Sequence, residues 1–174
     1  RVTAPELLRA AVGLLSNLGA TEDDELDAAA TAFLIEGGAI QAINQCIQAH
    51  RNEEGAPLLV ACFDALYNIG NDEAAARVIT NLEMIEATLE CIRGFDFETG
   101  LQQQCVKLIS VLTYNEFSVE RRTSLNTHAA LLDVLGDHSN DEDFTVDTML
   151  SVSNLVTVVE NTYVFQDEKY LIIM

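Results

Sequence analysis

Tryptophan is absent from this 174-residue chain, and proline occurs only 2 times. With just 9 glycines besides, that scarcity excludes a Pro/Gly-rich disordered segment and a turn-rich β fold, both of which need many chain-bending residues. Positive charge is equally scarce: 9 Lys and Arg stand against 28 Asp and Glu, for a formal net charge of −19 and a pI near 4.2. Nucleic acid and anionic membrane surfaces are excluded as partners on that ground, because clustered Lys and Arg are what hold them. A basic protein segment, by contrast, would be attracted. No apolar run reaches the roughly 20 residues that span a bilayer. Neither a signal peptide nor an Asn-x-Ser/Thr acceptor site is present.

The motifs that carry chemistry are lacking too. There is no P-loop, GxGxxG, HExxH or GxSxG. None of the 4 cysteines forms a C-x-x-C, and His50, His128 and His138 stand at no ligand spacing from any of them. The expectation is a protein that is not an enzyme and holds no metal, no cofactor and no small-molecule substrate. Because it starts at Arg1 and ends in the apolar "YLIIM", the chain reads as a piece of a longer polypeptide.

What is present is apolar residues, 49% of the chain, with abundant Ala, Leu, Glu and Gln that favour helix. Their pattern repeats. Ile40, Ala42, Cys46 and Ile47 are followed 45 residues later by Ile85, Ala87, Cys91 and Ile92, and 43 later again by His128, Ala130, Val134 and Leu135. A second set runs "AAVGLLSNLG" (10–19), "ACFDALYNIG" (61–70), "QCVKLISVLT" (104–113) and "DTMLSVSNLV" (147–156). Its anchors Asn17, Asn68, Val111 and Asn154 are spaced 51, 43 and 43 residues apart. The long first interval is absorbed by "TEDDELD" (21–27) and "HRNEEGAP" (50–57), polar loops where insertions are tolerated.

A shorter amphipathic segment precedes each apolar helix, at 27–37, 73–83 and 117–127. One unit is thus a short helix, a longer one and the longest, about 43 residues in all. Such a unit cannot cover its own apolar face, so neighbours must stack. Gly37-Gly38 ends the short helix of the first unit and turns the chain into the next. Asn81 and Asn126 take over that turn in the later units, since Asn is the next best residue for a left-handed helix end.

"EGGAIQAINQCI" resembles the start of the second helix of an armadillo repeat, and "LLRAAVGLLSNLG" and "LLVACFDALYNIG" resemble its third helix, which commonly ends in "ALSNLA"-like residues. The resemblance covers nearly the whole chain. It implies an all-α, right-handed armadillo-like superhelical solenoid of three-helix repeats: a third helix at 1–20, repeats at 27–71, 72–115 and 116–161, and the start of a further one at 162–174. It also implies a non-catalytic protein-binding scaffold, in which third helices line a concave groove for a segment of another protein. In the importin-α type each third helix pairs a Trp with an Asn four residues on. Here Asn17, Asn68 and Asn154 match and Val111 does not, while Gly13, Asp64, Lys107 and Leu150 occupy the Trp positions. That departure argues against recognition of basic nuclear signals and leaves Asn amides, donor and acceptor in one group, to clamp peptide backbone.

The candidate groove residues are Asn17, Asp64, Asn68, Lys107, Tyr114, Asp147, Leu150 and Asn154, with Tyr114 and Leu150 as apolar anchors. Acids at Glu53, Glu54, Asp96, Glu98, Asp141, Glu142 and Asp143 fall in the loops between second and third helices. They form either a rim that recruits a basic partner or solvated loops with helix-start acids that favour the dipole. Cys46 and Cys91 are repeat-equivalent, as are Cys62 and Cys105, so all four read as small core residues. Equivalent helices lie about 8–10 Å apart, which disfavours Cys46–Cys91 and Cys62–Cys105 disulfides. Free thiols suit the cytoplasm, with a cytoskeletal, ciliary or nuclear setting open. The alternatives to a scaffold are a purely structural module of a large assembly and a receptor for basic peptides.

Overall fold

The computed structural model describes residues 4–19, 28–52, 55–95, 98–113, 125–138 and 140–156. Nine helices, and no strand, are found among these residues. They are α1 (Ala4–Gly19), α2 (Ala28–Glu36), α3 (Ala39–Ala49), α4 (Ala56–Ile69), α5 (Glu73–Asn81), α6 (Met84–Gly94), α7 (Thr99–Thr113), α8 (Thr127–Asp137) and α9 (Glu142–Val156). The protein is therefore all-α over its described length.

Local chemistry sets the helix ends. Asp72 accepts a hydrogen bond from the Ala75 backbone N–H at 2.9 Å and so caps α5. Asp141 does the same for α9, accepting from the Phe144 N–H at 3.0 Å. Pro57 sits in the first turn of α4, where its missing N–H has no partner to lose.

The short connections into α3, α6 and α8 each turn on one left-handed residue: Gly38 (φ 73°), Glu83 (φ 59°) and Asn126 (φ 52°). Gly38 and Asn126 agree with the sequence expectation. Asn81 does not: it is the last residue of α5, and the left-handed conformation falls on Glu83. The turn must deliver Met84 and Ile85 into the core, where they are 0% and 1% exposed. That demand fixes the turn immediately before Met84, although Glu tolerates positive φ less well than Asn.

The short helices differ in character. α5 is sharply two-sided, with Ala75, Ala76, Ile79 and Thr80 buried and Glu73 and Arg77 exposed. The amphipathic pattern expected for α2 is not found: Thr31 and Leu34 are buried, yet Phe33 is 72% exposed. Apolar residues surround α2, so its sequence does not define one inward face. Most of the segment 117–127 lies outside the described residues.

One continuous apolar core runs from Val12 to Leu155. Phe63 and Phe144 are its largest fully buried side chains, each stabilising the fold by roughly 1.5–3 kcal/mol through burial alone. Three buried threonine hydroxyls bond back onto their own helices, Thr80 to Ala76, Thr88 to Met84 and Thr148 to Phe144, which satisfies these three without a second element. Gln102, also buried, ties three helices together. Its amide donates to the Ile92 carbonyl at 3.1 Å, and its oxygen pairs with His138 Nε2 at 2.6 Å. His128, the polar exception in its apolar row, is buried at that row's position. Burial lowers its pKa from 6.5.

Candidate interaction surface

The four longest helices, α1, α4, α7 and α9, have 16, 14, 15 and 15 residues. They pack in series, α1 on α4, α4 on α7 and α7 on α9, and these are the most extensive helix contacts in the molecule. α3 packs against α4, α6 against α7 and α8 against α9, each within its own unit. The residues singled out from the repeat therefore sit on consecutive, touching helices. Asn17 is exposed on α1, Asp64 and Asn68 are half-buried on α4, and Lys107 is half-buried on α7. Asp147 and Asn154 are half-buried and Leu150 is exposed on α9. Tyr114 lies outside the described residues.

Two of these residues are brought together. Lys107 Nζ stands 4.0 Å from Asp147 Oδ2, with side chains 31% and 30% exposed. This pair links α7 to α9 at the surface. Val111, which interrupts the Asn series, is buried, so the amide positions are discontinuous. Leu150 has an apolar companion that the sequence argument missed, Val146, one turn earlier and 60% exposed. Their four-residue spacing puts them side by side on α9, and that spacing was the available signal. Leu14 on α1 was also missed. It is 66% exposed, whereas its repeat equivalents Ala65, Leu108 and Ser151 are all buried. α1 is the first described helix of the series.

The acids divide differently. Glu98, Asp141 and Glu142 are exposed. Asp141 is engaged in capping α9, and Glu142 opens that helix. Asp143 lies in the same first turn. Glu53, Glu54 and Asp96 lie outside the described residues, as do Glu22, Asp23, Asp24 and Glu25.

Three clefts open away from the candidate residues. One of about 320 Å³ is bordered by Glu6, Arg9, His50, Asn52 and Pro57. A second, of about 430 Å³, lies among Arg51, Asn52, Glu90, Cys91, Gly94 and Phe95. A third, of about 390 Å³, includes Asn44, Gln48, Glu83 and Glu86. Arg51 and Glu90, joined as an ion pair, border both the second and the third. Among the described residues no group of three or more His, Cys, Asp or Glu side chains is placed to hold a metal ion. No described helix is long and apolar enough to cross a membrane.

All four cysteines are free. Their neighbours are not the repeat-equivalent ones. Cys46 lies near Cys62 and Cys105 near Cys91, each pair within one unit. Burial pushes the Cys62 and Cys105 thiols up, while the Cys91 thiol is drawn down by the hydrogen bond from Cys105 and by the nearby Arg51 charge. No protein-family model, curated protein or solved structure matches the chain.

Proposed function

We propose that this chain is part of an all-α, right-handed armadillo-like solenoid and serves as a non-catalytic scaffold that binds a segment of another protein along the face of α1, α4, α7 and α9. The observation that carries the reading is the serial packing of the four longest helices, with α3 against α4, α6 against α7 and α8 against α9. On this reading the repeats run over 27–71, 72–115 and 116–161. A stack of this kind presents one long surface to a partner, because each unit contacts mainly its neighbours.

Asn17, Asn68 and Asn154 supply amide donors and acceptors for an extended backbone. Leu150 with Val146 supplies an apolar anchor. The net charge of −19 accelerates the approach of a basic partner and makes association salt-dependent. Binding is an equilibrium process with no chemical step. A basic segment also meets Lys107, but its charge is already answered by Asp147, so repulsion there is small.

The test is affinity purification of the tagged protein from its native cell, as wild type and as Asn68→Ala/Asn154→Ala, at two salt concentrations with mass-spectrometric readout. The expected result is loss of specific proteins in the double variant, with basic ones lost at high salt too. A partner set unchanged by both treatments refutes binding at this face, and makes the chain a structural module held by its edges or ends.

A further inference from the structure

Among the described residues, large apolar side chains stand well exposed only on the first two helices and the last: Leu8 and Leu14 on α1, Phe33 on α2, and Val146 and Leu150 on α9. The helices between carry none. In stacked-repeat proteins the outer faces of the terminal units are ordinarily polar, which keeps copies soluble and apart. Here both ends of the helix series are apolar, and exposed apolar patches of that kind mark contact surfaces.

The joint between α7 and α9 shows how one long helix stacks on the next. Ser151 Oγ lies 3.5 Å from the Val106 carbonyl oxygen, and Lys107 Nζ lies 4.0 Å from Asp147 Oδ2. Val106 and Lys107 therefore mark the trailing flank of α7, and Asp147 and Ser151 the leading flank of α9. The repeat carries these flanks to the ends of the series. On α9 the residues that match Val106 and Lys107 are Met149 and Leu150, and on α1 those that match Asp147 and Ser151 are Ala10 and Leu14. Met149 is half-buried, and Leu150 and Ala10 are exposed. Leu14 is 66% exposed where Ser151 is fully buried.

We propose that copies of this chain associate head to tail, the α9 flank of one copy stacking on the α1 flank of the next. Repeating the α7–α9 geometry across the boundary sets Met149 against Leu14 and Leu150 against Ala10. The polar contacts of the internal joint are there replaced by apolar side chains on both sides, so neither copy buries an unanswered polar group at these positions. The two flanks are different surfaces, which makes the contact heterologous, and each added copy presents a fresh flank for another. The net charge of −19 opposes the approach of like copies, so association strengthens as salt screens that repulsion. Binding of a basic segment responds to salt in the opposite sense. The inference does not rest on the partner binding proposed above, with which it shares Leu150 and Val146.

The experiment is sedimentation equilibrium of the protein at about 0.05 M and about 0.5 M salt, with protein up to about 1 mM. The wild type should grow beyond a dimer as concentration rises, and more strongly at the higher salt. Leu14→Glu and Leu150→Glu each place a charge in the contact and should each weaken it by more than about tenfold. An equimolar mixture of the two, in which each variant supplies one intact flank, should form a heterodimer and nothing larger. Gln48→Glu adds the same charge on α3, away from both flanks, and should associate like the wild type. All three positions are exposed, and circular dichroism melts check that the variants keep the wild-type fold. A wild type that stays monomeric throughout overturns the proposal. So does a dimer that does not grow, a Leu14→Glu or Leu150→Glu variant that associates like the wild type, or a mixture that stays monomeric.

Discussion

The three left-handed turns make opposite predictions for substitutions at equivalent positions. Gly38 adopts φ 73°, and a methyl group placed on it meets nothing closer than Gln41 Oε1 at 3.8 Å. Sterics with neighbours therefore contribute nothing to the cost of Gly38→Ala, which is the backbone penalty of an L-residue in the left-handed region, about 1–2 kcal/mol. A smaller unfolded-state term, about 0.4–1 kcal/mol in favour of Ala, reduces the net loss to roughly 1 kcal/mol. Glu83 already bears the same penalty at φ 59°. Glu83→Gly should relieve it, lose the same chain-entropy term, and stabilise the protein by roughly 1 kcal/mol. For a chain of this size each kcal/mol moves Tm by about 2–4 °C. Chemical denaturation of both variants, with calorimetry as a second probe, reads the two signs directly. If Gly38→Ala matches the wild type, or if Glu83→Gly destabilises by as much as Gly38→Ala, then the turns do not hold these conformations in solution.

Other expectations concern the core, the surface ion pair and a buried histidine. Phe63→Ala, at a side chain 0% exposed, should cost about 3–5 kcal/mol by urea unfolding, and a loss below 1 kcal/mol contradicts its central position. A double-mutant cycle on Lys107→Ala and Asp147→Ala should give a coupling of only about 0.2–1 kcal/mol, given the exposure of both side chains; a zero coupling removes the α7–α9 link. His128 has a folded-state pKa below 6.5, so the unfolded chain takes up its proton first as pH falls. Stability contributed by the neutral ring is complete above about 6.5 and declines from there toward the lowered folded value. Melting curves from pH 7.5 to 5.5 should show a steeper loss for the wild type than for His128→Leu, and equal slopes exclude His128 as the cause.

Much of the helix order is legible because the apolar spacing survives the loop insertions. The row Ile40, Ile85, His128 marks buried positions in α3, α6 and α8 even where the residue is polar. Gly37-Gly38 announces its turn because glycine is the residue that a left-handed bend prefers. The same reasoning fails at Asn81, where residue preference points to Asn but the placement of Met84 and Ile85 decides the register. In α2 no polar face exists to separate inside from outside, which hides the exposure of Phe33. The cysteine contacts escape alignment for another reason. A repeat aligns equivalent residues of different units, whereas Cys91 and Cys105 lie near each other on two successive helices of one unit. For the candidate surface, periodicity picks out residues on helices that do pack in series, but exposure depends on the neighbours present, as Leu14 and its buried equivalents show.

The most direct test of the proposed binding face is site-specific photocross-linking in native cells. A benzophenone amino acid would replace Asn68 on α4 or Leu150 on α9, with exposed Gln48 on α3 as the control position. The account predicts adducts with one common partner from positions 68 and 150 and none with that partner from 48. Adducts to the partner from position 48, with none from 68 or 150, would contradict binding along α1, α4, α7 and α9.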